Sequence, residues 1–173
     1  MRIRFMILVT VAMLVLQCVS YADEADAILG QWVTEEGKSR VEITKSGGKY
    51  YGNILWLKEP NYPEGDEEAG KTKHDRNNPD KSKQTKPIIG LQVMKGFKHT
   101  GGKTWAKGTI YDPENGKTYK CKATLEGTKK LNVRGYIGIS LIGRTTVWTR
   151  YEKPKEDKKK EESGQDKPKS ENS

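Results

Sequence analysis

The chain has 173 residues, 32 Lys and Arg against 23 Asp and Glu, a net charge of +9 and two Cys. That length suits one domain with attached ends. Apolar residues at 33% and charged residues at 32% exclude a polytopic membrane protein, a disulfide-dense miniprotein and a coiled coil.

Residues 1–22 have the layout of a secretory signal peptide. Arg2 and Arg4 form a positive head, 5–16 is nearly all apolar, and Ser20 and Ala22 are small residues before a cut after Ala22. The apolar run is shorter than the roughly 20 residues that span a bilayer. Gln17 precedes Cys18, where a lipoprotein cleavage site wants a small residue, so lipid anchoring at Cys18 is not expected. The expected location is therefore outside the cytoplasm, periplasmic or secreted. Cleavage removes Cys18 and leaves Cys121 alone, so no internal disulfide forms. Cys121 lies on the apolar side of an alternating segment and reads as a buried, inert thiol.

The domain follows at 23–151. Residues 23–29 suit one or two helical turns, stopped by Gly30. A strand at 31–34, a turn at 35–38 and an alternating strand at 40–45 come next, with Val41 and Ile43 on one face. Ser46-Gly47-Gly48 turns the chain into a strand at 49–57, rich in aromatic and branched residues. There Tyr50, Ile54 and Trp56 are expected to share a face. Residues 58–86 interrupt the pattern with several Pro and many charges, as a lid, a binding loop or a mobile insertion. Residues 88–97 fit a strand or a short helix. Strands at 105–111 and 117–125 flank the turn Pro113-Glu114-Asn115-Gly116. The second of them sets Tyr119, Cys121, Ala123 and Leu125 on one face. Strands at 131–137 and 145–151 complete the set.

Seven or eight short antiparallel strands joined by hairpins predict an all-β fold, a small up-and-down barrel of about eight strands. Closure also removes exposed edges. The long loop follows the third strand. Residues 152–173 hold seven Lys and seven acidic residues and no aromatic or branched aliphatic residue. Such a tail cannot offset its ordering entropy by burial, so disorder is expected. Without head and tail the domain keeps 23 basic and 16 acidic residues, a net +7. A basic exported domain suits an anionic lipid, saccharide or protein surface, and nucleic acid is not an expected partner.

Gly30-Gln31-Trp32 at the first strand and Arg150 at the last resemble the lipocalin-like superfamily. The resemblance implies that Arg150 packs across Trp32 and closes one end of the barrel. An Arg on an indole face is worth about 1 kcal/mol. A longer match adds Gly48-Lys49-Tyr50-Tyr51-Gly52-Asn53-Ile54-Leu55-Trp56-Leu57, Asp75-Arg76-Asn77-Asn78-Pro79-Asp80, and Pro87-Ile88-Ile89-Gly90-Leu91. It continues through Lys95-Gly96-Phe97, Gly108-Thr109-Ile110-Tyr111-Asp112-Pro113, Leu131-Asn132-Val133-Arg134-Gly135-Tyr136 and Gly143-Arg144-Thr145-Thr146-Val147-Trp148. Together these residues resemble the bacterial exported family called domain of unknown function 2147. The match runs from Ile28 to Tyr151. It implies a small exported lipocalin-like barrel and no particular activity.

No motif selects an enzyme. His74 and His99 lack the spacing of a zinc site. Asp75, Asn78 and Asp80 share a loop but not the spacing of a calcium loop. An Asx-type turn around Asn78-Pro79 is the expected use of these side chains. No metal and no cofactor is therefore expected. Asp75, Asp80 and Asp112 are the carboxylates that acid–base chemistry would have to use, and Asp112 is expected to cap the turn at Pro113.

The remaining candidates are aromatic and cationic residues on strands: Arg134, Tyr136, Trp148, Arg144 and Trp56. Turned inward, they would hold a small amphipathic or anionic ligand, with aromatic walls around its apolar part and Arg on its carboxylate or phosphate. The competing expectation is a barrel filled by its own side chains, a monomer that meets anionic envelope surfaces through its basic face.

Overall fold

A computed structural model describes residues 24–154. The expected signal peptide, and the expected tail from residue 155 onward, lie outside the described residues.

The alternating segments become eight antiparallel strands: β1 (Gly30–Val33), β2 (Ser39–Ser46), β3 (Lys49–Leu57), β4 (Gln92–Gly101), β5 (Thr104–Asp112), β6 (Lys117–Glu126), β7 (Lys130–Tyr136) and β8 (Gly143–Arg150). Each pairs with its neighbours in chain order, and β1 pairs with β8 to close the barrel. The ambiguous segment before residue 97 resolves as irregular chain to 91 followed by β4.

An up-and-down order sends alternate connections to opposite ends. The β2–β3, β4–β5 and β6–β7 turns lie at one end. The β1–β2, β3–β4, β5–β6 and β7–β8 connections lie at the other.

The first end is packed solid. Trp32, Tyr50, Phe97, Trp105, Cys121, Ala123, Leu125 and Leu131 point inward and are buried, as the period-two pattern of β6 required. Ile28, from the turn at 24–28, plugs this end and is also buried. The Trp105 indole donates to the Ala25 carbonyl at 2.9 Å, and the Tyr50 hydroxyl to Asp26 at 2.8 Å. Gly108 lets the Phe97 ring lie flat against β5, because a Cβ there would run into that ring.

The alternation fails at one place with consequences for the site. Val41 faces Ile54 across β2 and β3, but Arg40 faces Trp56, so Leu55 is an extra residue in β3. Such a bulge flips the facing of the residues beyond it. Trp56 turns to solvent and Leu57 takes the inward position.

Candidate functional site

Above the packed half the barrel is open. A cavity of about 1310 Å³ extends from its centre to the end that carries the long loop. Its deep wall is apolar: Val41, Ile54, Val93, Ile110, Val133 and Trp148, one inward position after another around the sheet. Gly135 leaves room beside Ile110 and Tyr119. The charged wall residues come from the β1–β2, β3–β4 and β5–β6 connections, from Asp112 at the end of β5, and from Arg144 near the start of β8. An apolar well under a charged rim suits a molecule with an apolar body and a polar end.

The closed end is built as the Gly-x-Trp pattern implied. The Arg150 guanidinium lies 4.2 Å from the centre of the Trp32 ring. Its Nε donates to Thr128 O at 2.8 Å, Nη1 to Leu29 O at 2.9 Å and Nη2 to Ala27 O at 2.7 Å. Burial lowers its pKa from the usual guanidinium value. Gly30 has a φ of +106°, in the region that favours Gly.

The 58–91 segment is an organised structure over the mouth. Asn61 bridges Thr72 and His74 bridges Pro87, so the chain folds into two stacked antiparallel returns. Arg76 clamps Asp66 with two bonds of 2.9 and 2.8 Å and lies 4.3 Å from the centre of the Tyr62 ring. This Arg holds the Asp66 carboxyl down at about 2. His74 meets the Gln84 carbonyl through Nδ1 at 2.5 Å and Glu68 through Nε2 at 2.8 Å.

Asp75 is wholly buried. Its carboxylate accepts from the Tyr111 hydroxyl at 2.6 Å and from the Asn78 amide at 2.6 Å, which fastens the loop to β5. Burial and the contact with Asp75 raise the Tyr111 pKa. Asn77 donates to the carbonyls of Pro113 and Glu114, and its own carbonyl sits where a Cβ of residue 116 would stand, so only Gly116 fits there. The expected Asx turn is present: the Asp80 amide donates to Asn78 Oδ1 at 2.9 Å. Asp80 caps the short turn Lys81–Lys83 and bonds Lys83 and Ser82, which hold its carboxyl at about 2. Asp112 accepts from the Glu114 amide at 2.9 Å, as a cap of the turn at Pro113 should.

The ligand set proposed from sequence is only partly brought together. Trp148 lies on the cavity wall, and Tyr136 and Arg144 lie at the mouth, where Arg144 pairs with Glu35 at 3.0 Å. Two residues depart from the expected placement. Trp56 faces out because of the β3 bulge. Arg134 also faces out, because Leu131, Val133 and Gly135 hold the inward positions of β7. Its guanidinium goes to the carbonyls of Ser140 and Leu141 and to the Thr145 hydroxyl. It is a scaffold for the β7–β8 connection.

Sequence reasoning names Tyr111 and Arg76 without giving them a role and weighs His74 only as a zinc ligand; Tyr111 meets Asp75 36 residues away, and Arg76 and His74 meet partners across the turns of the loop. Lys58 was overlooked; it is a cation of the cavity wall that forms no ion pair among the described residues. Cys121 is buried in the packed half, and burial pushes its thiol up to about 12. Among the described residues no three His, Cys, Asp or Glu side chains are grouped to hold a metal ion.

No curated protein matches the chain. A solved structure described as protein HP1028 from the human pathogen Helicobacter pylori, which belongs to the lipocalin family, superposes with a TM-score of 0.62 at 22% identity. The match covers 77% of this chain and 87% of that one, and at such identity it speaks for the fold alone. The model of a family described as an uncharacterized protein conserved in bacteria, DUF2147, matches residues 30–150, from the first strand to the last, and the chain belongs to that family.

Proposed function

We propose that this is an exported binding module that takes one small amphipathic molecule into the open half of its barrel. The apolar body lies against Val93, Ile110, Val133 and Trp148. The polar end stays among the charges of the mouth, within reach of Lys58. The observation that carries this reading is the cavity itself. At about 1310 Å³ it is larger than the roughly 300–1,000 Å³ of ordinary ligand pockets, and its deep wall has no charged group. Packing fills only the closed half, which weighs against a fully filled barrel. A signal-peptide-like start supports export.

The arrangement favours binding over catalysis. The loop carboxylates of Asp75 and Asp80 are committed to Tyr111, Asn78, Ser82 and Lys83. Neither lines the cavity; Asp112 does, at the mouth, and its carboxylate is taken up by the Glu114 amide and the Asn115 side chain.

Gly135→Leu tests the reading. A Cβ at 135 meets only Ile110 and Tyr119 side-chain atoms at ordinary distances of 3.5–3.9 Å, so the larger side chain is expected to grow into the cavity without breaking the sheet. The probe is anilinonaphthalene sulfonate, an amphipathic anion that fluoresces in apolar surroundings, competed with long-chain fatty acids. The native barrel should bind the probe and release it to the fatty acid, and Gly135→Leu should weaken both by at least about tenfold, the equivalent of 1.4 kcal/mol. Equal probe binding in the two proteins, with both folded by circular dichroism, would overturn the cavity as the site.

A further inference from the structure

The β7–β8 connection, residues 137–142, is unusual for an exposed loop. Ile137, Ile139, Leu141 and Ile142 are 70%, 62%, 84% and 70% exposed. Four large aliphatic side chains in a six-residue connection are a cost in water unless something covers them. The loop is also shaped from beneath. Arg134 Nε donates to Ser140 O at 2.8 Å and Nη2 to Leu141 O at 3.0 Å, while the Ile142 amide closes on Ile139 O at 3.2 Å. Two carbonyls of the loop are thus tied to the barrel, one turn closes within the loop, and the aliphatic groups are left exposed.

The surface just behind this tip is cationic. Tyr136 ends β7 and pairs with Lys120 across the sheet, and Arg134 pairs with Lys122. Lys120, Lys122 and Arg134 form no ion pair among the described residues. Two like charges set opposite each other across strands repel. From the tip inward come the aliphatic side chains, then Tyr136 and Lys120 side by side, then Arg134 and Lys122. An aliphatic tip backed by an aromatic and cationic band matches the hydrocarbon of an anionic leaflet backed by its interface and phosphates. The neighbouring outward positions on β8 are Thr145, Val147 and Thr149, which carry no charge. Of the acidic residues of the mouth, Glu36 and Glu114 sit on other connections and Glu35 is paired with Arg144 near the start of β8, so contact is made by this corner and not by the whole rim.

We infer that the protein docks on an anionic lipid bilayer by inserting the 137–142 tip and laying Lys120, Lys122 and Arg134 on the headgroups. Ile137 and Ile142 also line the mouth of the cavity. Docking by this corner therefore opens the cavity toward the hydrocarbon, and an amphipathic molecule passes between bilayer and barrel without crossing water. This second step rests on the binding function proposed above, and the docking itself does not.

The test is co-sedimentation of the chain from residue 23 onward, whose core closes within the described barrel, with vesicles of two compositions. One is phosphatidylcholine alone, and the other is phosphatidylcholine with phosphatidylglycerol. Binding is expected to the anionic vesicles, with weakening as salt shortens the reach of the charges. Leu141→Ser with Ile142→Ser should lower the partition at least tenfold, since these side chains are already in water and their loss leaves the fold intact. Lys120→Gln with Lys122→Gln should lower binding to anionic vesicles by roughly tenfold or more and spare binding to phosphatidylcholine, at about fivefold per cation near the surface. Gly135→Leu should dock normally, which separates failure of docking from failure of the cavity. Absence of sedimentation with either vesicle, or sedimentation unchanged by the tip variant, would overturn the inference. So would a dimer, seen by analytical ultracentrifugation without lipid, that the tip variant dissociates, for then a second copy covers the loop.

Discussion

Arg150 shows how much one side chain can hold at the closed end. It covers the Trp32 ring and gives three bonds to carbonyls of the β6–β7 turn and the N-terminal segment. The Ala27 and Leu29 carbonyls are partly shielded from water, so removing the donor leaves these acceptors without partners. Bonds to a charged donor are worth about 1.5–3 kcal/mol each, although the three share one side chain and do not add. Arg150→Ala should therefore destabilise the barrel by about 3 kcal/mol, measured by urea unfolding. Arg150→Lys should recover less than half of this, because a single ammonium cannot reach three carbonyls from over an indole ring. A loss below 1 kcal/mol for Arg150→Ala would show that the contact is ornamental. This residue was legible in the sequence because two motif residues at the ends of the domain must meet when a barrel closes. Arg134 was not. Its type suggested an anion grip, but its facing depends on which parity of β7 is inward. The composition of β7 alone, with Asn132, Arg134 and Tyr136 between apolar residues, can be read either way until Leu131 and Val133 are seen in the core.

At the scale of elements, the strands were legible and the connections were not. Period-two alternation with Gly-rich turns identifies β2, β6 and β7 to within a residue or so, since burial on one face leaves few other registers. The β3 bulge at Leu55 escaped because an extra residue leaves no mark in an aromatic and aliphatic run; it moved Trp56 out of the site. Residues 58–86 read from their composition as a lid, a binding loop or a mobile insertion; in the structure the segment is bound by ion pairs and buried polar contacts between residues that no local pattern links.

Those contacts give the loop a pH dependence of known sign. Asp66, facing Arg76 and Lys73, and Asp80, facing Lys83 and Ser82, each titrate at about 2 in the folded chain against 3.8 for an ordinary Asp. A depressed carboxyl contributes stability that is fully present above its unfolded pKa and is lost as pH falls through its folded value. The loop should therefore hold from neutrality down to about pH 4 and loosen between about pH 4 and pH 2. Amide hydrogen exchange of 62–86, compared with the amides of β5 and β6, follows this directly. In the double variant Asp66→Asn with Asp80→Asn the acid-induced rise in loop exchange should be blunted. A loop that loosens equally in the variant and the parent over that range would assign the acid response to other groups.

At the scale of the whole molecule the barrel is two structures in one. One half is filled by Trp, Tyr and Phe rings over an N-terminal plug. The other is a well whose deep wall, Trp148 apart, is built of residues of moderate size and includes Gly135. The same sheet builds both, and the difference lies in side-chain volume at inward positions, where Trp32, Trp105 and Phe97 give way to Val41, Val93 and Val133. Unfilled volume in a core forfeits packing and costs stability. Most substitutions that fill such space would raise stability, and a well kept open at this cost points to an occupant. Linkage then makes a quantitative demand. A molecule that binds the folded barrel and not the unfolded chain, at a hundred times its dissociation constant, adds about 2.7 kcal/mol. For a barrel of this size that is a rise of roughly 10 °C in the midpoint of thermal unfolding. Differential scanning calorimetry with a long-chain fatty acid at that excess should show the rise in the native protein. Gly135→Leu should begin from an equal or higher midpoint and show almost no rise, because its cavity is already occupied. A native midpoint that stays fixed with every amphipath tried, while Gly135→Leu is more stable, would mean that the well is empty space and that the barrel works from its surface.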